Sequence, residues 1–279
     1  MAKLEMAGAV AKMKTHLEGD SAYYSMPIGD QLVPMNGLIG KTLGLRFQQQ
    51  INCVHCGRLT KKSFNQGYCY PCFQRLAQCD ICIVSPEKCH YAAGTCREPE
   101  WGESHCMIDH VVYLANSSGV KVGITRGTQV PTRWIDQGAV SALPIFRVST
   151  RLQSGLVETL YKSHVADKTS WQAMLKGSPD NVDLYARRDA LAAECADDIA
   201  ELQQRFGIQA IQAVTDVPVQ HIKYPVSEYP VKVKSFNLDK IPEIEGTLMG
   251  IKGQYLIFDT GVINIRKYAG YHIALSSES

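Results

Sequence analysis

At 279 residues, with 45% hydrophobic and 20% charged positions, the chain has the composition of a folded globular protein and room for two or three small units. A net charge of +2 is too small to argue for nucleic acid by itself, so charge bears on function only through local clusters. No apolar run is long enough to span a bilayer, and residues 6–11 are too short and wrongly flanked for a signal peptide. Together with thiols that look unpaired, this predicts a cytoplasmic protein with no membrane partner. The oligomeric state is open.

Residues 1–50 alternate polar and apolar positions in short runs broken by Gly19, Gly29 and Gly37, which predicts a small antiparallel β unit. Nine of the ten cysteines follow, inside residues 51–110. The first four read C-V-H-C, twelve residues, then C-Y-P-C, so Cys53, Cys56, Cys69 and Cys72 form two close thiol pairs separated by a turn containing Gly67. That spacing suits a zinc ribbon, each pair presenting two sulfurs to one tetrahedral ion. A secreted disulfide framework is the competing explanation, but the cysteines occupy one fifth of a chain with ample material for ordinary cores.

Cys79, Cys82, Cys89, Cys96 and Cys106 exceed what one ion can take, which predicts a second structural Zn²⁺. Cys79 and Cys82 make the natural first pair of that site. The other two places are contested by Cys89, Cys96, Cys106, His90 and His110, with an outer, orienting role the alternative for either histidine. A redox dithiol or iron-sulfur cluster lacks the tight ferredoxin spacing.

Residues 111–206 read as an α/β unit. Two strands, 111–115 and 120–125, are joined by Asn-Ser-Ser-Gly, a good hairpin connection. A helix over 131–137, a third strand over 143–148 and a longer helix over 152–167 follow. Asn181 is the expected cap of an Ala-rich helix ending before Gly207, and Cys195 on it reads as a small buried apolar residue. Trp134 and Trp171 read as packing residues. Residues 207–279 return to Gly-punctuated strands.

The stretches 8–14 and 246–252 share a pattern, which suggests a duplicated β unit and predicts that the chain's ends pack together as a barrel or sandwich around the inserted zinc and α/β parts. Chance similarity between Gly-rich hairpins is the alternative. Basic clusters at Arg58, Lys61 and Lys62, at Lys232 and Lys234, and at Arg266 and Lys267 read either as backbone-positioning charges or as solvated faces.

The central unit presents Tyr113 on its first strand, K-V-G-I-T from Lys121 through Gly123 to Thr125 on its second, Arg133 on its first helix and Glu158 on the longer one. These residues, in this order, resemble the GIY-YIG nuclease superfamily over about a third of the chain. Lys121 stands where that family's second motif has tyrosine, a change found in some subfamilies, and Val111 stands in place of the first motif's glycine. The resemblance implies a nucleic-acid partner and a metal-dependent phosphodiesterase. Glu158 would hold one Mg²⁺ or Mn²⁺, Tyr113 would activate water, helped by Lys121 or the ion, and Arg133 would grip the scissile phosphate. Gly123, Thr125, Arg126 and His164 would lie against substrate, and Asp136 is a candidate for a second acid near the metal, with a capping or surface role the stronger alternative. The bland alternatives are a core tyrosine, a surface arginine and a Glu158 paired with Lys162 on its own helix.

Over residues 13–275 the chain also resembles an uncharacterised bacterial family that joins a Cys-rich part to the K-V-G-I-T, R-W-I-D-Q-G-A and D-K-T-S-W segments, without an established activity. The expected architecture is therefore α+β, in four parts: 1–50, 51–110, 111–206 and 207–279. Its expected function is nucleic-acid binding with GIY-YIG-like cleavage. The alternatives are a binding or regulatory module that has lost cleavage, favoured by Lys121, and a zinc-stapled protein-interaction or thiol redox protein.

Overall fold

The first and last strands of the chain are hydrogen-bonded neighbours. In the computed structural model, which describes residues 4–165 and 170–277, β1 (Leu4–Ala9) is followed by β2 (Lys14–Glu18), β3 (Ser21–Ile28), β4 (Gln31–Pro34) and β5 (Thr42–Ile51). The Cys-rich part contributes α1 (Tyr70–Arg75), α2 (Pro99–His105) and several single 3-10 turns. The α/β part runs β6 (His110–Asn116), β7 (Val120–Arg126), α3 (Thr132–Asp136), β8 (Ser141–Val148), α4 (Arg151–Lys162), α5 (Trp171–Leu175), α6 (Leu184–Glu194) and α7 (Ala196–Phe206). Short strands β9 (Ile211–Ala213) and β10 (Gln220–His221) precede the closing β11 (Glu243–Lys252), β12 (Tyr255–Phe258), β13 (Gly261–Asn264) and β14 (Tyr271–Ser277).

Three antiparallel sheets result, an α+β architecture as the sequence predicts. The six-stranded sheet has the order β1-β14-β5-β11-β12-β13, so strands from both ends of the chain interleave. Strict alternation drives this. On β14, Tyr271, Ile273 and Leu275 point inward, and on β5 Leu43, Leu45 and Phe47 do the same. The ends do pack together, but the two similar segments are not equivalent: residues 8–14 leave β1 and enter β2, whereas 246–252 lie within β11. The sheet expected within residues 1–50 is β2-β3-β4 only, because β1 and β5 pair outside it.

The five-stranded sheet has β7-β6-β8 as its centre, with β9 and β10 both pairing with β8. Its middle strand β6 is almost continuously buried because both faces are covered. Val112 and Leu114 point into a core shared with Val157, Tyr161 and Leu191 of the helices, while Tyr113 and Ala115 point into the core of the large β layer. The long helix expected over 152–167 is α4, ending at Lys162. The end expected at Asp167, and the D-K-T part of the D-K-T-S-W segment, fall outside the described residues. The Ala-rich helix is capped by Asp183, whose carboxylate accepts from the N–H of Tyr185 and Ala186 at 2.9 and 3.0 Å. It breaks in two at Cys195, which is buried as expected.

Candidate functional site

The two cysteine groups separate cleanly. The sulfurs of Cys53, Cys56, Cys69 and Cys72 lie within 4.8 Å of one another, and all four thiols are free. Cys56 and Cys69 are 3.7 Å apart. A tetrahedron with zinc-sulfur bonds of about 2.3 Å has edges of about 3.8 Å, so the cluster could hold a zinc ion, whereas a disulfide needs about 2.05 Å. Burial opposes ionisation of Cys53, but backbone N–H groups of Cys56, Cys69 and His55 outweigh it and bring its pKa down to about 6. Burial and the other three thiols push Cys72 the opposite way, up to about 12, so four thiolates would coexist there only around a cation.

Cys79 departs from expectation. It is buried in the same apolar group as Cys53, Cys69, Cys72 and Leu76, and the pair it was expected to make with Cys82 does not form. Consecutive 3-10 turns, Ala77–Cys79 and Ile81–Ile83, with extended Asp80 between them, separate the two residues, and Cys82 lines a cavity that Cys79 does not. Cys82, Cys89, Cys96 and Cys106 instead surround a separate small cavity together with Asp80 and His90. His110 is fully buried at the start of β6, with Nδ1 2.7 Å from the Ile108 carbonyl, and stands apart from both groups.

Next to that cavity lies a larger cleft of about 620 Å³. Its floor is β7, the edge strand of its sheet, contributing Lys121, Gly123, Thr125 and Arg126. One wall is α3, with Arg133, Asp136 and Gln137, joined by Lys12 and Arg266 from the β layers. The other wall is α4, with Arg151, Glu158 and Lys162, backed by Ile83, Val84 and Pro86 of the Cys-rich part. Seven basic side chains and two carboxylates thus line it. Each carboxylate is held by a lysine: Asp136 by Lys12, with Gln254 donating at 2.8 Å, and Glu158 by Lys162 at 3.1 Å. Burial disfavours the charged form of Arg266, Arg133 adds repulsion, and Asp136 opposes both. An arginine stays cationic under such pressure, so the cleft carries a surplus of positive charge.

The residues that carry the nuclease resemblance divide between two places. Lys121, Gly123, Thr125, Arg126, Arg133 and Glu158 share the cleft. Tyr113 does not: its side chain is fully buried behind the floor. Burial raises its pKa to about 12, with Glu158 and Asp136 adding to the rise and Arg133 only partly offsetting it. That corrects its expected role as a water-activating base, which needs exposure and a lowered pKa. Its hydroxyl instead meets Gln137. With the Gln137 amide turned so that both ends are satisfied, its nitrogen donates to Tyr113 Oη at 2.8 Å and its oxygen accepts from Arg133 Nε and Nη2 at 3.3 and 3.1 Å. Tyr113 therefore orients the arginine. Gly123, its cross-strand partner, makes the room, since a Cβ there would lie 2.8 Å from the phenol oxygen.

His164 also departs from expectation. The helix expected to carry it ends at Lys162, and its imidazole pairs with Glu194 at 3.3 Å, outside the cleft. Asp136 is neither a cap nor a surface acid but a clamp between α3 and the β layer. Lys12, Arg151, Gln137 and Arg266 were not assigned to the site from sequence. Arg151 carried a usable signal, lying seven residues before Glu158 on one helix face, whereas nothing local connects Lys12 or Arg266 to β7.

Fold and site together define an α+β protein with a cysteine cluster suited to zinc and a basic cleft at a sheet edge. Residues 40–273 match the family described as protein of unknown function DUF2797, and the chain belongs to that family. It matches no curated protein and no solved structure. Among the described residues, no helix is long and apolar enough to cross a membrane.

Proposed function

We propose that the cleft grips the sugar-phosphate backbone of a nucleic acid, and that the Cys-rich part holds one of its walls in place. The carrying observation is the convergence of seven cations, drawn from four separate stretches of chain, on one hollow whose two carboxylates are already paired. Clustered lysine and arginine neutralise phosphates and release counterions, which favours polyanions over small neutral ligands. Arg133, aimed by Gln137, suits bidentate contact with a phosphate.

Anisotropy titrations of labelled single- and double-stranded DNA and RNA test this. Affinity should fall with salt, and Arg133→Ala and Arg266→Ala should each weaken it and flatten the salt slope by about one unit. Absence of binding to all four probes at low salt would overturn the reading and favour a surface for protein partners.

A second reading, metal-dependent phosphodiester cleavage, is favoured by the presence of Glu158 and Arg133 in the same cleft. Glu158 would hold Mg²⁺ or Mn²⁺ once phosphate has offset the surrounding positive charge. Cutting of the same probes with either ion should then disappear in Glu158→Ala. Tyr113→Phe separates the roles of the phenol: a positioning role predicts weaker substrate binding with the pH profile unchanged, whereas a base predicts loss of turnover. Intact probes after prolonged incubation with wild type would leave binding alone.

A further inference from the structure

We infer that Cys82, Cys89, Cys96 and Cys106 bind a zinc ion of their own, separate from the cluster at Cys53, and that this ion fixes the wall of the basic cleft. The four cysteines, in a 3-10 turn, at two loop positions and at the end of α2, line one cavity of about 20 Å³, their sulfurs more widely spaced than those at Cys53, so that they would draw in around an ion. A void of that size admits one water-sized sphere, which fits an ion and excludes a substrate. All four thiols are free, and among the described residues no hydrogen bond engages their sulfurs. Soft thiolates select zinc over harder cations.

A rival set exists, because ligand atoms of Asp80, Cys82 and His90 approach within 4.8 Å of one another. Both of its non-sulfur members are already committed. Asp80 Oδ1 accepts from the Ile81 N–H at 2.6 Å and Oδ2 from Arg97 at 2.7 Å, with His90 Nε2 at 3.5 Å. His90 Nδ1 lies 2.8 Å from the Thr95 hydroxyl. Ligation by Asp80 would break its ion pair with the exposed Arg97 and leave a buried carboxylate to be re-partnered, whereas ligation by the thiols breaks no hydrogen bond. Asp80 and His90 then form the surround that orients the cysteine loop. On binding, each thiol gives its proton to solvent and no electron changes hands.

The site touches the cleft directly. Arg151, at the start of α4, donates from its backbone to the Cys106 carbonyl at 2.8 Å and from Nη2 to the Ile83 carbonyl at 2.7 Å. Ile83, Val84 and Pro86, just beyond Cys82, form that side of the cleft. The metal assignment stands whether or not the cleft takes nucleic acid.

Zinc analysis of the full-length protein should give two ions per chain. Cys56→Ser with Cys69→Ser should remove one, Cys89→Ser with Cys96→Ser the other, and Asp80→Asn and His90→Gln should each retain both. X-ray absorption at the zinc edge of wild type should show sulfur alone at about 2.3 Å. That measurement decides the ligand set even if a cysteine variant fails to fold. One ion per chain, or a shell containing nitrogen or oxygen at about 2.0–2.1 Å, would overturn the assignment.

Discussion

A histidine with no exposed surface and one unpartnered nitrogen makes His110 the clearest titration switch in the molecule. Burial, then the nearby Arg151 and Arg126, bring its pKa from 6.5 to about 4, against the opposing pull of the Ile108 carbonyl and Asp109. The unfolded imidazole takes up its proton below about pH 6.5 and the folded one only near pH 4. Stability is therefore complete above 6.5 and drains away as pH falls through that window. The loss is at most about 3 kcal/mol at roughly 1.4 kcal/mol per pH unit. Urea unfolding at pH 7 and pH 4.5 should show a larger drop for wild type than for His110→Phe; parallel losses would refute this. Tyr113 teaches a related lesson. Its position in the chain order was legible, but a residue name carries no information about which side of a strand meets solvent.

Among the elements, α4 was the most readable and also the most constrained. Thr150 and Gln153 form a reciprocal capping box, the T-x-x-Q signature of a helix start. Its Glu158–Lys162 pair obeys the i,i+4 rule, so the bland alternative for Glu158 and its place in the cleft are both realised. Gly155 obeys no helix rule. It sits mid-helix, where glycine costs about 1 kcal/mol relative to alanine, because a Cβ there would lie 2.5 Å from the Glu87 backbone nitrogen and 2.6 Å from Pro86. The close approach seats the cysteine loop against the helix. Gly155→Ala, normally stabilising in a helix, should here destabilise by roughly 1–3 kcal/mol and weaken cleft binding, as read by denaturant unfolding and anisotropy. Unchanged or increased stability would show that the loop yields at no cost.

At the scale of the whole molecule, the parts are tied by contacts between residues that lie 118 to 241 positions apart. Lys12 and Gln254 both reach Asp136 on α3, whose carboxylate is almost fully enclosed, and Gln254 also bonds the Met13 backbone in both directions. Lys12→Met should cost roughly 1–2 kcal/mol, a modest figure because the lysine is itself partly exposed, and Asp136→Asn in the same chain should recover part of it. No recovery in that double variant would mean that the ion pair is incidental. Sequence alone determined what depends on near neighbours: the paired thiols of Cys53 to Cys72, the alternation that makes strands and the hairpin at residues 116–119, though it placed the cap of the Ala-rich helix at Asn181 where the structure has Asp183. Tertiary structure decided which cysteines share a cavity, that Tyr113 is enclosed while Arg133 is not, and that Lys12 and Arg266 join Lys121 in one cleft. The division has a physical origin, since periodicity and turn chemistry act over a few residues, whereas burial and electric field are set by whatever the fold brings within a few ångströms.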